Sequence, residues 1–301
     1  MSSIQTFIDF RDKVVLDHAA LSLPISGKSH AELPYPSNHK EAVTQACNLL
    51  GFTDIDTQCI SNAWDATFRR TGQWNVNDWP SNTQDFGINS PTGSNAFPTC
   101  PNRLGLYAVL PDASWIYRMA QAGVPTLQLR YKSDDLKKIR REVKEAIKAV
   151  SGTQSLLFIN DHWREAIDLG AYGVHLGQED LEDAHLELIR KSGIRLGLST
   201  HGYAEMVRAS LEKPSYIALG AIFPTTLKRM KTAPQGTARL KVYADLMKSY
   251  PLVAIGGIDK LKLDEVLSSK VGSVAVVRAI VEAQDPEAVA IEYQKRINEV
   301  F

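Results

Sequence analysis

From Leu104 onward, short apolar runs of strand length alternate with segments of helical period, and this rhythm limits the chain to very few folds. Eight runs can be read: Leu104–Leu110 (LGLYAVL), Thr126–Tyr131 (TLQLRY), Ser155–Ile159 (SLLFI), Tyr172–Leu176 (YGVHL), Ile194–Leu198 (IRLGL), Tyr216–Leu219 (YIAL), Leu252–Ile255 (LVAI) and Gly272–Val277 (GSVAVV). Helix-compatible segments lie between them at Ser133–Val150, His162–Gly170, Tyr203–Leu211 and Leu261–Ser269, and a last helix is expected over Ala279–Val300. Eight strand-helix units within roughly 200 residues fit a closed parallel barrel. A doubly wound open sheet would use fewer strands and carry a glycine-rich dinucleotide turn after the first, where this chain has LPDASW. The expected fold class is α/β, a (β/α)8 TIM barrel behind an N-terminal extension of about 100 residues.

That extension divides in two. Residues 1–72 are expected to be partly helical, with helices over Lys40–Leu50 and Ile60–Arg70, and 73–102 to be an irregular linker or wrap. The stretch Trp74–Asn102 is rich in Asn, Ser, Thr, Gly and Pro and has no sustained apolar period. Its tryptophans are read as pins onto the neighbouring domain in preference to a recognition surface. Residues 103–301 form the expected catalytic barrel, which is expected to fold without the extension.

Thirty-four basic and thirty-four acidic side chains cancel. A neutral chain does not capture nucleic acid or an anionic membrane in bulk, so an anionic ligand needs a local site. No apolar run reaches membrane-spanning length and the first residues lack a signal-peptide pattern, so a cytoplasmic location is expected. The sequence leaves a homo-oligomer open. Cys47, Cys59 and Cys100 show neither C-x-x-C nor zinc-finger spacing, and are read as free thiols.

In a barrel the chemistry sits where strands end. On the second strand Gln128, Arg130 and Lys132 recur at period two; pointing inward, the two cations would form a rim able to grip a phosphate. The third strand ends in Asn160-Asp161 and the fourth in Gly177-Gln178-Glu179-Asp180. Carboxylates at neighbouring strand tips can share a small hard cation such as Mg²⁺, which takes one or two carboxylates plus substrate phosphates. Each aspartate could instead cap the helix that follows it; their coincidence with the cationic strand favours the metal. Ser199 and Thr200 after the fifth strand, and Thr225, Thr226 and Lys228 after the sixth, can donate to phosphate oxygens, and Lys228–Gly236 reads as a loop able to fold over substrate. Gly256-Gly257 after the seventh strand permits close backbone approach. His201 is read as a positioned or capping residue before a general base, and His175 as packed and hydrogen-bonded.

Together, Gln128-Leu129-Arg130-Tyr131-Lys132, Ile159-Asn160-Asp161, the run Gly173 to Asp180 (GVHLGQED), Gly197-Leu198-Ser199, the run Phe223 to Lys228 (FPTTLK) and Ile255-Gly256-Gly257-Ile258 resemble the thiamine-phosphate synthase family. The resemblance covers Leu104 to the C-terminus and leaves the extension unmatched. It implies a magnesium-dependent transferase that joins 4-amino-2-methyl-5-(diphosphooxymethyl)pyrimidine to a thiazole phosphate by dissociative displacement, releasing diphosphate. It further implies that Gln128, Arg130, Lys132, Asn160, Ser199 and Lys228 hold the pyrimidine diphosphate and that Asp161 and Asp180 bind Mg²⁺. Thr225, Thr226, Leu227, Gly256, Gly257, Val277 and Arg278 would face the thiazole phosphate.

The chain departs from the family pattern at three places. Gly220-Ala221 stands where Gly-Pro is common, Leu227 where a second threonine hydroxyl is frequent, and Arg278 where a small serine is frequent. An arginine there could supply phosphate charge in place of the missing hydroxyl. Two rival functions are a thiazole tautomerase using His201 in proton transfer, and a non-catalytic barrel acting as a binding partner. A tautomerase has no use for Asp161, Asp180 and Lys228 together, and a charged mouth without a ligand is costly.

Overall fold

A computed structural model of the chain describes residues 3–24, 33–225 and 232–301. Its centre is a closed barrel of eight parallel strands paired in sequence order, with the eighth returning to the first. They are β1 (Gly105–Leu110), β2 (Thr126–Leu129), β3 (Leu156–Asn160), β4 (Gly173–Leu176), β5 (Arg195–Thr200), β6 (Tyr216–Leu219), β7 (Leu252–Ile255) and β8 (Ser273–Val276). All eight expected strands form. β2 ends before Arg130, whose N–H still donates to Leu110 O, and β5 runs on to Thr200.

The helices are α1 (Ser3–Asp17), α2 (His39–Leu49), α3 (Asp54–Thr71), α4 (Thr83–Phe86), α5 (Ala113–Gln121), α6 (Leu136–Val150) and α7 (Trp163–Leu169), followed by α8 (Leu186–Lys191), α9 (Tyr203–Leu211), α10 (Gly236–Leu246), α11 (Leu263–Leu267), α12 (Arg278–Val281) and α13 (Pro286–Val300). The single last helix expected from the sequence is two. Pro286 lacks an N–H and suits a first turn, and Asp285 caps that turn by accepting from Ala288 N, so a new helix starts there. The LPDASW segment that excluded a dinucleotide turn is the start of α5, with Asp112 accepting from Trp115 N.

Strand alternation sorts side chains into two cores. Leu106, Ala108 and Leu110 face the helix layer, while Tyr107 and Val109 face inward with Phe158, Tyr216, Ala218, Val253 and Ala275. The inner rings fit because neighbouring strands carry glycine. A Cβ on Gly197 would lie 2.1 Å from Tyr216 Cζ, and one on Gly173 would lie 2.5 Å from Phe158 Cε1. The aromatic floor closes the lower barrel and leaves the C-terminal end open for a ligand.

The extension packs on the α9 and α10 side and shares one hydrophobic cluster with the barrel helices. Phe86 stacks on Tyr203 with centroids 5.1 Å apart, and Trp79 Nε1 donates to the Tyr203 hydroxyl at 2.8 Å. Trp79 is therefore a pin, as its sequence context suggests, and Trp74 packs between His39 and Phe68 within the extension. Asp56 on α3 reaches across to α9, where its Oδ1 accepts from Ala204 N at 2.9 Å. It serves as the cap that Gly202, the residue at that position, cannot supply. The three cysteines are free; burial pushes the Cys59 thiol up to about 11 and Cys100 to about 12.

Candidate active site

A cavity of about 720 Å³ opens at the C-terminal ends of the strands. Gln128, Arg130 and Lys132 all line it, so the period-two pattern of the second strand does point inward. Gln128 is the lowest, anchored by its Nε2 donating to the Tyr107 hydroxyl at 3.0 Å. Above it, the side chains of Arg130 and Lys132 make no hydrogen bond to any described residue. Asn160, Asp161, Asp180 and Ser199 line the next part of the wall, and Thr225, Gly256, Gly257, Val277 and Arg278 complete it. Every described residue expected to hold substrate or metal lies on this one cavity. Thr226, Leu227 and Lys228, with the first part of the expected covering loop, lie outside the described residues.

The two acids are brought together. Asp161 sits at the tip of β3 with φ 62°, a left-handed conformation that aspartate tolerates better than most side chains. Its N–H donates to His175 O at 3.0 Å on the neighbouring strand, and its carbonyl accepts from Trp163 N at 2.8 Å. The turn sends the carboxylate toward Asp180 and away from α7, whose cap position is His162 and makes no side-chain cap bond. Asp180 Oδ2 accepts from Gly177 N at 2.8 Å, and α8 is capped by His185. Neither aspartate caps its helix, so the alternative reading of both fails.

Water reaches Asp161 through the cavity, but protein surrounds it on the other sides. Burial first, and the nearby charge of Asp180 second, hold its carboxyl above the ordinary range; Arg130 and His162 pull the other way. Two carboxylates in hydrogen-bonding reach of each other, with no helix end to serve, are a donor set that suits a small hard cation. Among the described residues no group of three or more His, Cys, Asp and Glu converges, so remaining ligands would be water and substrate oxygens.

Beneath the rim a polar chain crosses the barrel. Tyr107 and Tyr216 hydroxyls are 2.7 Å apart, His175 Nδ1 is 2.6 Å from the Tyr216 hydroxyl, and His175 Nε2 is 2.8 Å from Ser199 Oγ. His175 is thus packed and hydrogen-bonded. The Ser199 carbonyl accepts from Gln178 Nε2 at 2.7 Å, which fixes the β5 tip. His201 has both its backbone N–H and Nδ1 on Glu205 Oε2, at 2.8 and 2.7 Å, the arrangement of a positioned residue.

On the far wall Gly256 and Gly257 adopt φ 109° and 65°, and a Cβ on Gly257 would lie 2.5 Å from Pro224 O. Close backbone approach between the β6 and β7 tips is therefore built on these glycines. Sequence reasoning missed Asp259 and Lys262, which also line the cavity. Lys262 Nζ donates to Asp259 Oδ2 at 2.6 Å and to Gly257 O at 3.2 Å, and this pairing holds the Asp259 carboxyl below its usual range. Their spacing just after the glycine pair was the available signal.

Fold and cavity placement are those of a (β/α)8-barrel enzyme. The family model described as thiamine monophosphate synthase matches residues 106–280. The thiamine-phosphate synthase of Neisseria gonorrhoeae is 51% identical over 198 residues, covering 66% of this chain and 97% of that protein. That of Salmonella newport is 51% identical over 189 residues, covering 63% and 90%. Among solved structures, thiamine phosphate pyrophosphorylase from Pyrococcus furiosus aligns with a TM-score of 0.60 and 26% identity, over 66% of this chain and 98% of that one. The chain belongs to the thiamine monophosphate synthase family. Near-complete coverage of the Neisseria protein leaves no room there for a counterpart of the extension. Among the described residues no helix is long and apolar enough to cross a membrane.

Proposed function

We propose that the chain is a cytoplasmic thiamine-phosphate synthase, a transferase joining 4-amino-2-methyl-5-(diphosphooxymethyl)pyrimidine to a thiazole phosphate. The bond from the pyrimidine methylene carbon to the diphosphate oxygen breaks, with the electron pair leaving on oxygen. The thiazole nitrogen then gives its lone pair to the methylene cation, forming the C–N bond of thiamine phosphate. No side-chain nucleophile enters this balance, and the cavity's inventory of cations, amides and hydroxyls suits the stabilisation of a departing anion.

In this reading Gln128, Asn160 and Ser199 orient the pyrimidine end while Arg130 and Lys132 meet charge as it develops on the leaving diphosphate. Lys228 would join them from the covering loop. Asp161 and Asp180 would hold Mg²⁺, which supplies Lewis-acid neutralisation of diphosphate oxygens. Thr225, Thr226, Leu227, Gly256, Gly257, Val277 and Arg278 would receive the thiazole phosphate, with Arg278 offering a guanidinium at the β8 tip.

The observation that carries the reading is the convergence of two uncapping aspartates with Arg130 and Lys132 on one strand-end cavity. No observation favours the tautomerase or the idle barrel, because neither has a use for Asp161 and Asp180 facing each other beside Arg130 and Lys132. The test is an assay with both substrates, with and without magnesium, following thiamine phosphate and diphosphate together. Stoichiometric, magnesium-dependent formation of both products is expected. Turnover of the thiazole phosphate without the pyrimidine, or no product from either, would overturn the proposal.

A further inference from the structure

Arg239, near the start of α10, is 2% exposed and its guanidinium faces the extension. Its Nε donates to Leu21 O and its Nη2 to Leu50 O, both at 2.9 Å, and its Cζ lies 3.6 Å from the Phe52 ring centroid. Leu21 ends a 3-10 turn (Ala19–Leu21) and Leu50 closes α2, so both carbonyls are of the kind a helix end leaves without an intrahelical partner. A barrel arginine therefore serves two helix ends of the extension.

Its remaining arm turns toward the active site. Nη1 donates to Gln235 Oε1 at 3.2 Å, and that oxygen also accepts from the Tyr243 hydroxyl at 3.0 Å. Gln235 is buried, and its backbone N–H donates to Ala221 O at 2.9 Å, while Gly236 N donates to Ile222 O at 2.9 Å. Ile222 and Phe223 in turn donate to Ile255 O at 3.0 Å and Gly256 O at 2.9 Å. Ala221, Ile255 and Gly256 line the cavity, whereas Gln235 and Arg239 do not.

We infer that Gln235 and Arg239 are positioning residues through which the extension fixes the β6 tip against Gly256 and Gly257, setting the shape of the thiazole-phosphate half of the site. The inference rests on the synthase reading for the identity of that substrate. The contacts run in an unbroken series from the extension's carbonyls to backbone atoms of the cavity wall, and they touch the β6 and β7 tips while leaving the β2 to β4 tips alone. The effect on the two substrates is therefore unequal.

Gln235→Ala keeps both Arg239 bonds to the extension and its own backbone bond to Ala221 O, but removes the side-chain bonds to Arg239, Tyr243 and Ala233 O that tie this segment to the extension. The KM for thiazole phosphate is expected to rise on the order of 10-fold, since small misplacements of a binding wall are felt strongly. The KM for the pyrimidine diphosphate should change much less, because of its expected contacts only Lys228 follows the β6 tip. Gln235→Glu, which retains an oxygen for Arg239 and Tyr243, is expected to restore most of the loss. Amide hydrogen exchange at Ile222 and Phe223 should quicken in Gln235→Ala. That readout needs no turnover, so failure of this inference is distinguishable from failure of the synthase reading. Unchanged KM values with unchanged exchange would overturn the inference. So would an equal loss for both substrates accompanied by a lowered melting temperature, which marks a merely structural role.

Discussion

A chain starting at Pro101 should lose most of its stability. Without the extension, Arg239 forfeits its bonds to Leu21 O and Leu50 O, and a buried hydrogen bond from a charged donor contributes about 1.5–3 kcal/mol. Loss of the Asp56 cap on α9 costs about 1 kcal/mol, and loss of the Phe86 stack on Tyr203 about 0.5–1.5 kcal/mol. These add to roughly 5–8 kcal/mol before newly exposed apolar area around Tyr203, Tyr243 and Leu240 is counted, against about 5–15 kcal/mol for a whole domain. At roughly 2–4 °C per kcal/mol for a barrel of this size, the melting temperature should fall by about 10–30 °C. The sequence alone suggested an independent barrel; the buried arginine argues against it. Thermal melts by circular dichroism on the full and shortened chains decide the matter. A soluble, cooperatively melting short chain within about 5 °C of the full one would refute the reasoning.

Burial, opposed by Arg239 and by the hydrogen bond from Ala204, raises the Asp56 carboxyl above its ordinary 3.8. The folded chain then holds that proton more tightly than the unfolded one, so the group's contribution to stability is full below 3.8 and declines as pH rises toward the folded pKa. Asp56→Asn keeps an oxygen for Ala204 N and should flatten that decline; parallel melting-temperature profiles for the two chains would contradict the sign. Gly257→Ala places a methyl 2.5 Å from Pro224 O at φ 65°, and should cost more than about 1 kcal/mol in urea unfolding and raise the thiazole-phosphate KM. An unfolding midpoint unchanged from that of the parent would show that the β6 and β7 tips yield freely.

The barrel was legible because each strand keeps an apolar run of strand length between turns, and parallel strands buried on both sides need just that. The rim was legible because its residues stand at the ends of those runs. Gln128 and Arg130 could be placed by period two, and Asp161 by its position after β3. What stayed hidden depends on contacts distant in sequence. Asp56 and Ala204 are 148 residues apart, and Arg239 and Leu21 are 218 apart. Nothing in GTARLKVYADL marks its arginine as the anchor for the N-terminal segment. α1, whose apolar residues give no strong stripe, was missed for a related reason: its partner α2 decides which face is buried. The length of α3 was underestimated because Thr53, which caps it by accepting from Asp56 N, lies ahead of the apolar residues that mark the helix.

The conformation of Asp161 leads to a last prediction. A carboxylate at a helix's cap position contributes about 1 kcal/mol, a role Asp161 stands one place too early for because His162 is the cap residue of α7, and a non-glycine residue in the left-handed region costs about 1–3 kcal/mol. Asp161 makes no cap bond and bears the left-handed conformation while its carboxylate faces Asp180, and burial and the nearby charge of Asp180 hold its carboxyl above the ordinary range. A bound cation would compensate such an arrangement, so magnesium with inorganic diphosphate should stabilise the folded chain by mass action. At about a hundred times the dissociation constant this amounts to about 2.7 kcal/mol, or roughly 5–10 °C in melting temperature. Asp161→Asn tolerates the same backbone conformation but carries no charge. It should melt no lower than the parent chain without ligands, show no shift with magnesium and diphosphate, and release diphosphate at least about 100-fold more slowly. Asp180→Ala should likewise lose the ligand-induced shift and the activity while keeping the circular dichroism of the fold. A full magnesium-dependent shift in Asp161→Asn, or undiminished turnover in either variant, would mean that the strained turn serves the backbone of β3 and not a metal.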